Sequence, residues 1–256
     1  MAEWLQEYFE RGYAERWALA APSEATWREV DYLWQVLRLG TGAPLLDVGC
    51  GHGRYAVAFQ KHGAEVTGVD FAMSLLKHAR NIARDSGVSV RWVRGDMRRL
   101  PFRSQSFEAA ILFDAFGFFD LEKENEDALR ELARVLAPGA RLALKVVNAE
   151  PILKSFRPAD SEKRDGVVTE ISRTMTLDPP RLTERLVISG PRGDAHYERR
   201  QRLYCFEDLS AALRSAGLVV AEVMSTATGR SFEPTSSPAM VIIGERVAGA
   251  ADPGIE

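Results

Sequence analysis

The chain of 256 residues has little cysteine, only Cys50 and Cys205. Two thiols so far apart give neither a disulfide framework nor a metal-ligand pattern, so no metal is expected. There is no run of about 18 apolar residues, the length that spans a bilayer, and no apolar leader at the start. A membrane is therefore not an expected partner, and the cytoplasm is the expected compartment. Basic residues are not in excess either. A formal net charge of -3 argues against binding by phosphate neutralisation, so nucleic acid is not an expected partner. No glycine loop is followed by Lys-Ser or Lys-Thr, which excludes the phosphate loop of ATPases. What is present is 46% apolar and 27% charged residues, enough for one substantial core carrying a sizeable insertion.

The most informative stretch runs from Pro44 to Asp70. Leu45 and Leu46 lead into Asp47-Val48-Gly49-Cys50-Gly51-His52-Gly53-Arg54, then a helix-like segment, then Val66-Thr67-Gly68-Val69-Asp70. This is the pattern of strand, glycine loop, helix and second strand ending in a carboxylate, half of a nucleotide-binding α/β sheet. Glycines at alternate positions let the chain turn sharply and let a ligand lie against the backbone. A dinucleotide loop needs a glycine where Arg54 stands, so that fingerprint is broken. Asp47 would repel a pyrophosphate and suits a cationic or amine-bearing ligand.

The rest of the chain alternates in the same way. Strands are expected near 44 to 48, 65 to 69, 90 to 93, 108 to 113 and 140 to 147, with amphipathic helices between them, which implies a parallel sheet with right-handed crossovers. Ahead of them, residues 3 to 18 carry Trp4, Tyr8, Phe9, Tyr13 and Trp17, at a spacing that puts most of them on one helical face. A second helix is expected from its Ser23 cap to about Leu39, with Gly40 as the stop. After Asn148 the pattern becomes β-rich at 167 to 177, 182 to 189 and 195 to 206, split by Asp178-Pro179-Pro180 and by a Gly-Pro-Arg-Gly-Asp turn. That predicts a three-stranded antiparallel insertion. A helix from Glu207 to Ala216 and strands near 218 to 224 and 239 to 246 follow, and residues 248 to 256 are expected to fray. The implied divisions are an N-terminal helical lid (1–40), a core (41–148), the insertion (149–206), a completing helix and strands (207–247) and the tail (248–256).

Leu45 to Gly53 resembles the first motif of the class I S-adenosylmethionine-dependent methyltransferases, an apolar strand followed by Asp-x-Gly-x-Gly-x-Gly. The resemblance continues in register through Asp70, through Gly95-Asp96-Met97, through Phe107 to Asp114, and through the helix, Pro138-Gly139 turn and strand from Leu132 to Leu142, covering roughly residues 40 to 148. It implies a Rossmann-like, doubly wound, seven-stranded and mostly parallel α/β sheet with an antiparallel β insertion. It implies S-adenosyl-L-methionine as cofactor. Asp70 would accept the ribose hydroxyls, Asp96 would meet the adenine amino group, and Phe71 and Met97 would sandwich the ring. Asp47, Gly49, Cys50, Gly51, Met73 and Phe113 would complete the donor site. Tyr13 would close over it from the N-terminal lid. The insertion resembles those that roof the pocket in small-molecule enzymes acting on sugars, amines and natural products.

The acceptor side is less constrained. Asp114, directly after the fourth strand, is a candidate general base for a hydroxyl or amine, or a group that orients a cationic substrate. Phe116 and Phe119, beside Gly117, are candidate acceptor contacts or a hydrophobic lid. In the third inserted strand, alternation places His196, Arg200, Arg202 and Tyr204 on one face and Tyr197, Arg199 and Gln201 on the other. Either face fits the pocket roof. If the first does, Arg200, Arg202 and Tyr204 bind an acidic acceptor and His196 is a second candidate base. The expected activity is methyl transfer to an oxygen or nitrogen of a small-molecule acceptor by a monomer or homodimer. Rivals are a methyltransferase of RNA or protein, opposed by Asp114-Ala115-Phe116-Gly117 where an Asn/Asp-Pro-Pro-Tyr/Phe signature would stand, and a non-catalytic donor-binding sensor or scaffold.

Overall fold

The computed structural model describes residues 2–13, 21–164, 166–190 and 193–247. Trp17, the Pro191-Arg192 part of the second turn and the expected tail lie outside these. The parallel part of the main sheet consists of Pro44–Val48 (β1), Glu65–Asp70 (β2), Arg91–Arg94 (β3), Phe107–Phe113 (β4) and Leu136–Val147 (β5). Leu218–Met224 (β10) and Ala239–Arg246 (β11) complete seven strands in the order β10-β11-β5-β4-β1-β2-β3. Only the β5/β11 and β11/β10 pairs are antiparallel. Strand order reverses between β1 and β4, so loops after both strands open into a crevice at their carboxyl ends, where ligands bind in sheets of this kind.

Helices cover both faces. Glu3–Glu7 (α1) continues as one π-helical turn, Tyr8–Gly12, and is followed by Glu24–Val36 (α2), Arg54–His62 (α3), Met73–Asp85 (α4), Glu122–Val135 (α5), Ala149–Lys154 (α6) and Phe206–Ser215 (α7). In α2 the Ser23 hydroxyl accepts from the Thr26 N–H at 3.3 Å, and Thr26, Val30 and Leu33 form its buried stripe. The helix stops before Gly40, because Arg38 adopts a left-handed conformation with φ 58 and Leu39 N–H returns to the Trp34 carbonyl. One apolar layer, including Val30, Leu33, Tyr55 and Phe59, fills the α2–α3 side, and another, including Phe116, Leu129, Leu132 and Tyr204, fills the α5–α7 side.

The insertion has four antiparallel strands rather than the expected three: Ala159–Arg164 (β6), Val167–Leu177 (β7), Pro180–Gly190 (β8) and Gly193–Arg202 (β9), in that order. β6 escapes pattern reading because Ala-Asp-Ser-Glu-Lys-Arg has no apolar alternation. It is a charged edge strand held by backbone pairing with β7, the composition that discourages further pairing. α1 and its π-helical turn pack against β9, and a Cβ at Gly12 would sit 2.8 Å from the Tyr197 ring.

Candidate functional site

The crevice at the strand reversal deepens into a cavity of about 690 Å³ under β9 and the N-terminal helix. From β1 and its loop come Asp47, Gly49, Cys50 and Gly51; from β2, Asp70 and Phe71; from the turn after β3, Asp96 and Met97; from β4, Phe113; and from the N-terminal segment, Tyr13. The structure thus brings these ten expected donor residues to one wall system. Met73 is not part of it. Its backbone N–H and that of Ser74 are taken by the Glu10 carboxylate at 2.9 and 3.0 Å.

The glycines divide their tasks. A Cβ at Gly53 would lie 2.5 Å from Trp92, so that glycine serves packing under the loop. A Cβ at Gly51 would meet nothing within 4 Å, so here the space is kept open toward the cavity. Its N–H donates to Asp70 Oδ2 at 2.8 Å, and Ala72 N–H donates to Oδ1 at 2.8 Å. Asp70 therefore orders the loop and keeps spare lone pairs for a ligand. Burial raises its pKa to about 6 against these two hydrogen bonds.

Asp47 is more perturbed. Burial, with the charge of Asp70 added, raises it to about 8, and its buried Oδ2 has no hydrogen-bond partner. A buried acceptor without a partner is costly unless a proton or an N–H donor fills it. The residues present thus fit a ligand carrying an amino group and vicinal hydroxyls, with room along an open glycine. Asp96 is held by Arg98, whose Nε lies 3.0 and 3.1 Å from the two carboxylate oxygens. Arg98 also bonds Glu124 and lies 4.6 Å from the Phe119 ring centre. Burial opposes ionisation of Asp96, but the Arg98 bonds outweigh it and hold its pKa low.

Asp114 faces the cavity beyond the glycine loop in a left-handed conformation, φ 58. Its Oδ2 accepts from Lys145 Nζ at 3.1 Å and lies 3.7 Å from Arg54 Nη2. Phe119 lines the cavity. Phe116 does not: it is 1% exposed and packs on the Tyr204 ring at 5.3 Å. The roof uses the other face of β9 from the one carrying the expected acceptor residues. Arg199 and Gln201 line the cavity, whereas His196 is exposed outside it. Arg200 pairs with Glu198 and Asp120. Arg202 is spent on Glu122 and Asp208, and the Tyr204 hydroxyl donates to Glu122 at 3.0 Å. The reason is parity: Arg199 and Gln201 share the strand face that meets the cavity, while Arg202 and Tyr204, although also buried, are packed against Glu122 of α5 and Asp208 of α7.

Two further lining residues are Phe9, one of the N-terminal aromatics, and His52. Phe9 joins Phe71 and Phe118 edge to face at 5.8 and 5.3 Å. His52 lines the cavity with its pKa lowered to about 4, first by burial and then by Arg54 and His78. The aromatic stripe of the first helix was the available signal for Phe9; nothing in the loop marked His52.

A family profile described as a methyltransferase domain matches residues 45–139. The chain is 30% identical over 196 residues, 75% of its length and 68% of the relative's, to a ubiquinone biosynthesis O-methyltransferase of Xanthomonas axonopodis pv. citri. It spans about half the length of several other curated relatives, 45, 44 and 56% in three of them. The CcbJ methyltransferase from Streptomyces caelestis has the same fold, with TM-score 0.78, 19% identity and coverage of 95% of this chain and 96% of that one. The S-adenosylmethionine-bound structure of CalS10, an amino pentose methyltransferase from Micromonospora echinaspora, superposes with TM-score 0.64 and 25% identity over 93% of this chain and 96% of that one. The glycine loop, the two buried acids beside it and these similarities converge: the chain belongs to the class I S-adenosylmethionine-dependent methyltransferases.

Proposed function

We propose that the chain transfers a methyl group from S-adenosylmethionine to an oxygen or nitrogen of a small-molecule acceptor. The observation that carries this reading is the continuity of the cavity. One space of about 690 Å³ runs from the glycine loop, Asp70 and Asp96 to Asp114, Phe118, Phe119 and β9, under a roof. That volume is in the ordinary range for small-molecule sites, about 300–1,000 Å³, and a roofed acceptor must fit within it. The relatives named above, by their names an O-methyltransferase of ubiquinone biosynthesis and an amino pentose methyltransferase, support the same size class.

The donor supplies an electrophilic methyl group on a positively charged sulfur, and the chain has to bind, align and exclude water. In this reading Asp70 accepts from ribose hydroxyls through its spare lone pairs, and Asp47 accepts from the donor's amino group. Phe71 and Met97 flank the adenine, beside the Asp96–Arg98 pair. Gly49, Cys50, Gly51 and the Phe113 backbone form the floor, and Tyr13 closes the top. Asp114 takes the proton that the acceptor hydroxyl or amine gives up as the new bond forms.

Two measurements test it. Asp70→Ala is expected to abolish calorimetrically measurable donor binding while circular dichroism stays unchanged; unaltered affinity would refute the donor assignment. Asp114→Asn is expected to lower kcat by about 10²-fold or more, the ordinary scale of general-base catalysis, with donor affinity retained. S-adenosylhomocysteine release across a panel of hydroxyl and amine acceptors reads the rate, and a wild-type rate for the variant removes Asp114 from proton transfer.

A further inference from the structure

Arg199 is the most constrained cation on the cavity wall. It stands opposite Glu184 of β8, and Glu184 in turn stands opposite Arg173 of β7, so the three side chains form one row across three strands. Directly opposed residues project to the same face of a sheet. Glu184 has a side chain only 4% exposed and is gripped from both sides, by Arg199 Nη2 and by Arg173 Nε, the latter at 2.8 Å. Burial works against its charge, but the two guanidiniums outweigh burial and hold its pKa low. Arg173 has a second carboxylate, Asp160, at 3.5 Å. Arg199 has none. The Phe118 ring centre lies 6.0 Å from its guanidinium carbon.

Such an arrangement spends one hydrogen of Nη2 and fixes the side chain's direction. Its Nε and Nη1 hydrogens have no acceptor among the described residues. The second Nη2 hydrogen, with the Nε or Nη1 hydrogen beside it, forms a planar fork that matches the two oxygens of a carboxylate or phosphate. Away from the acids Asp47, Asp70 and Asp96, the wall around Asp114 carries a second cation. Among the described residues Arg54 lines the cavity without a side-chain hydrogen bond, and the carboxylate it pairs with, Asp114, is shared with Lys145. Two cations around one carboxylate leave that side positive.

Resting on the methyl-transfer reading above, we propose that Arg199 binds an anionic oxygen group of the acceptor, a carboxylate or a phosphate monoester, and that Glu184 and Arg173 are the positioning residues that aim it. The acceptor class is then an acid bearing a hydroxyl or amine within reach of Asp114. This replaces Arg200 and Arg202, which the strand's parity turns away from the cavity.

The test uses the full chain saturated with S-adenosylhomocysteine. Small aromatic and aliphatic carboxylates, each beside its neutral primary amide, and phosphate monoesters, each beside its parent alcohol, are titrated by ligand-observed NMR. The expected result is at least one anion series bound about tenfold or more tightly than its neutral counterparts; which series does so identifies the group. Arg199→Gln should abolish that preference with S-adenosylhomocysteine affinity unchanged. Arg199→Lys should retain part of it, and Glu184→Gln should reduce it. Arg200→Gln, on the outer face, should leave it intact. Equal binding of anions and neutral counterparts, no anion binding at all, or a preference that survives Arg199→Gln in a folded variant would overturn the proposal. Failure of the wild type to bind S-adenosylhomocysteine would instead overturn the methyl-transfer reading beneath it.

Discussion

Asp47 and Asp70 sit buried at the ends of neighbouring strands, and the cavity they share makes their protonation a property of ligand binding. In the free chain burial favours the neutral form of both, raising Asp47 to about 8 and Asp70 to about 6. A folded-state pKa above the unfolded value means that the folded chain holds more protons, so this contribution to stability is present in acid and declines as pH rises toward 8. A positively charged donor favours the ionised acids. Its affinity is therefore expected to rise between pH 6 and pH 8, approaching tenfold per pH unit for each full proton displaced, and to level off above. Calorimetry in buffers of different ionisation heat should record proton release at neutral pH, and Asp47→Asn should remove much of the slope. A flat profile in the wild type would exclude Asp47 from donor recognition. The sequence made these acids legible because a charged residue next to a glycine loop is conspicuous. It did not make Arg199 legible, because which face of a β-strand turns inward depends on the sheet that packs over it. Alternation along β9 separated the two faces but left open which of them roofs the cavity.

Among the elements, the N-terminal helix has the clearest dependence on others. α4 begins at Met73 with Ala72 at its cap position, and Ala72 has no side-chain oxygen to receive the first N–H groups. Glu10, far away in sequence, supplies both bonds and lies 3.8 Å from Arg94. Burial opposes its charge, yet the Ser74 and Met73 N–H groups hold its pKa below the ordinary value. A helix cap is typically worth about 1 kcal/mol, so Glu10→Ala is expected to weaken donor binding about fivefold by loosening the segment that carries Phe9 and Tyr13 over the cavity. Hydrogen exchange at Met73 and Ser74 should accelerate in the same variant; unchanged exchange and affinity would show that the segment is held by its aromatic packing alone. Periodicity located most elements to within a few residues. It missed β6 because a charged edge strand is specified by its neighbour's open backbone rather than by its own side chains.

At the scale of the whole molecule, the roof is joined to the core near the loop after β4 and the start of α5. Glu122 accepts from Arg202 and Tyr204, Gln201 Nε2 donates to the Phe116 carbonyl at 3.1 Å, and Arg202 N–H donates to the Gly117 carbonyl at 2.7 Å. Gly117 is where the two bodies touch backbone to backbone: its φ is +88, and a Cβ there would stand 2.6 Å from the Arg202 carbonyl oxygen. Gly139 has a similar φ, +77, with nothing within 4 Å of a built Cβ. Alanine at either site pays the left-handed penalty of roughly 1–2 kcal/mol, and only at Gly117 must the backbone also separate. Gly117→Ala is therefore expected to cost about 2 kcal/mol more than Gly139→Ala in denaturant unfolding, on the scale of core overpacking. Proteolysis should nick the insertion of the Gly117 variant first, and its acceptor KM should rise more than its donor dissociation constant. Equal losses for the two alanines would mean that the roof is free to shift on the core, and that the acceptor wall is set by ligand rather than by this joint.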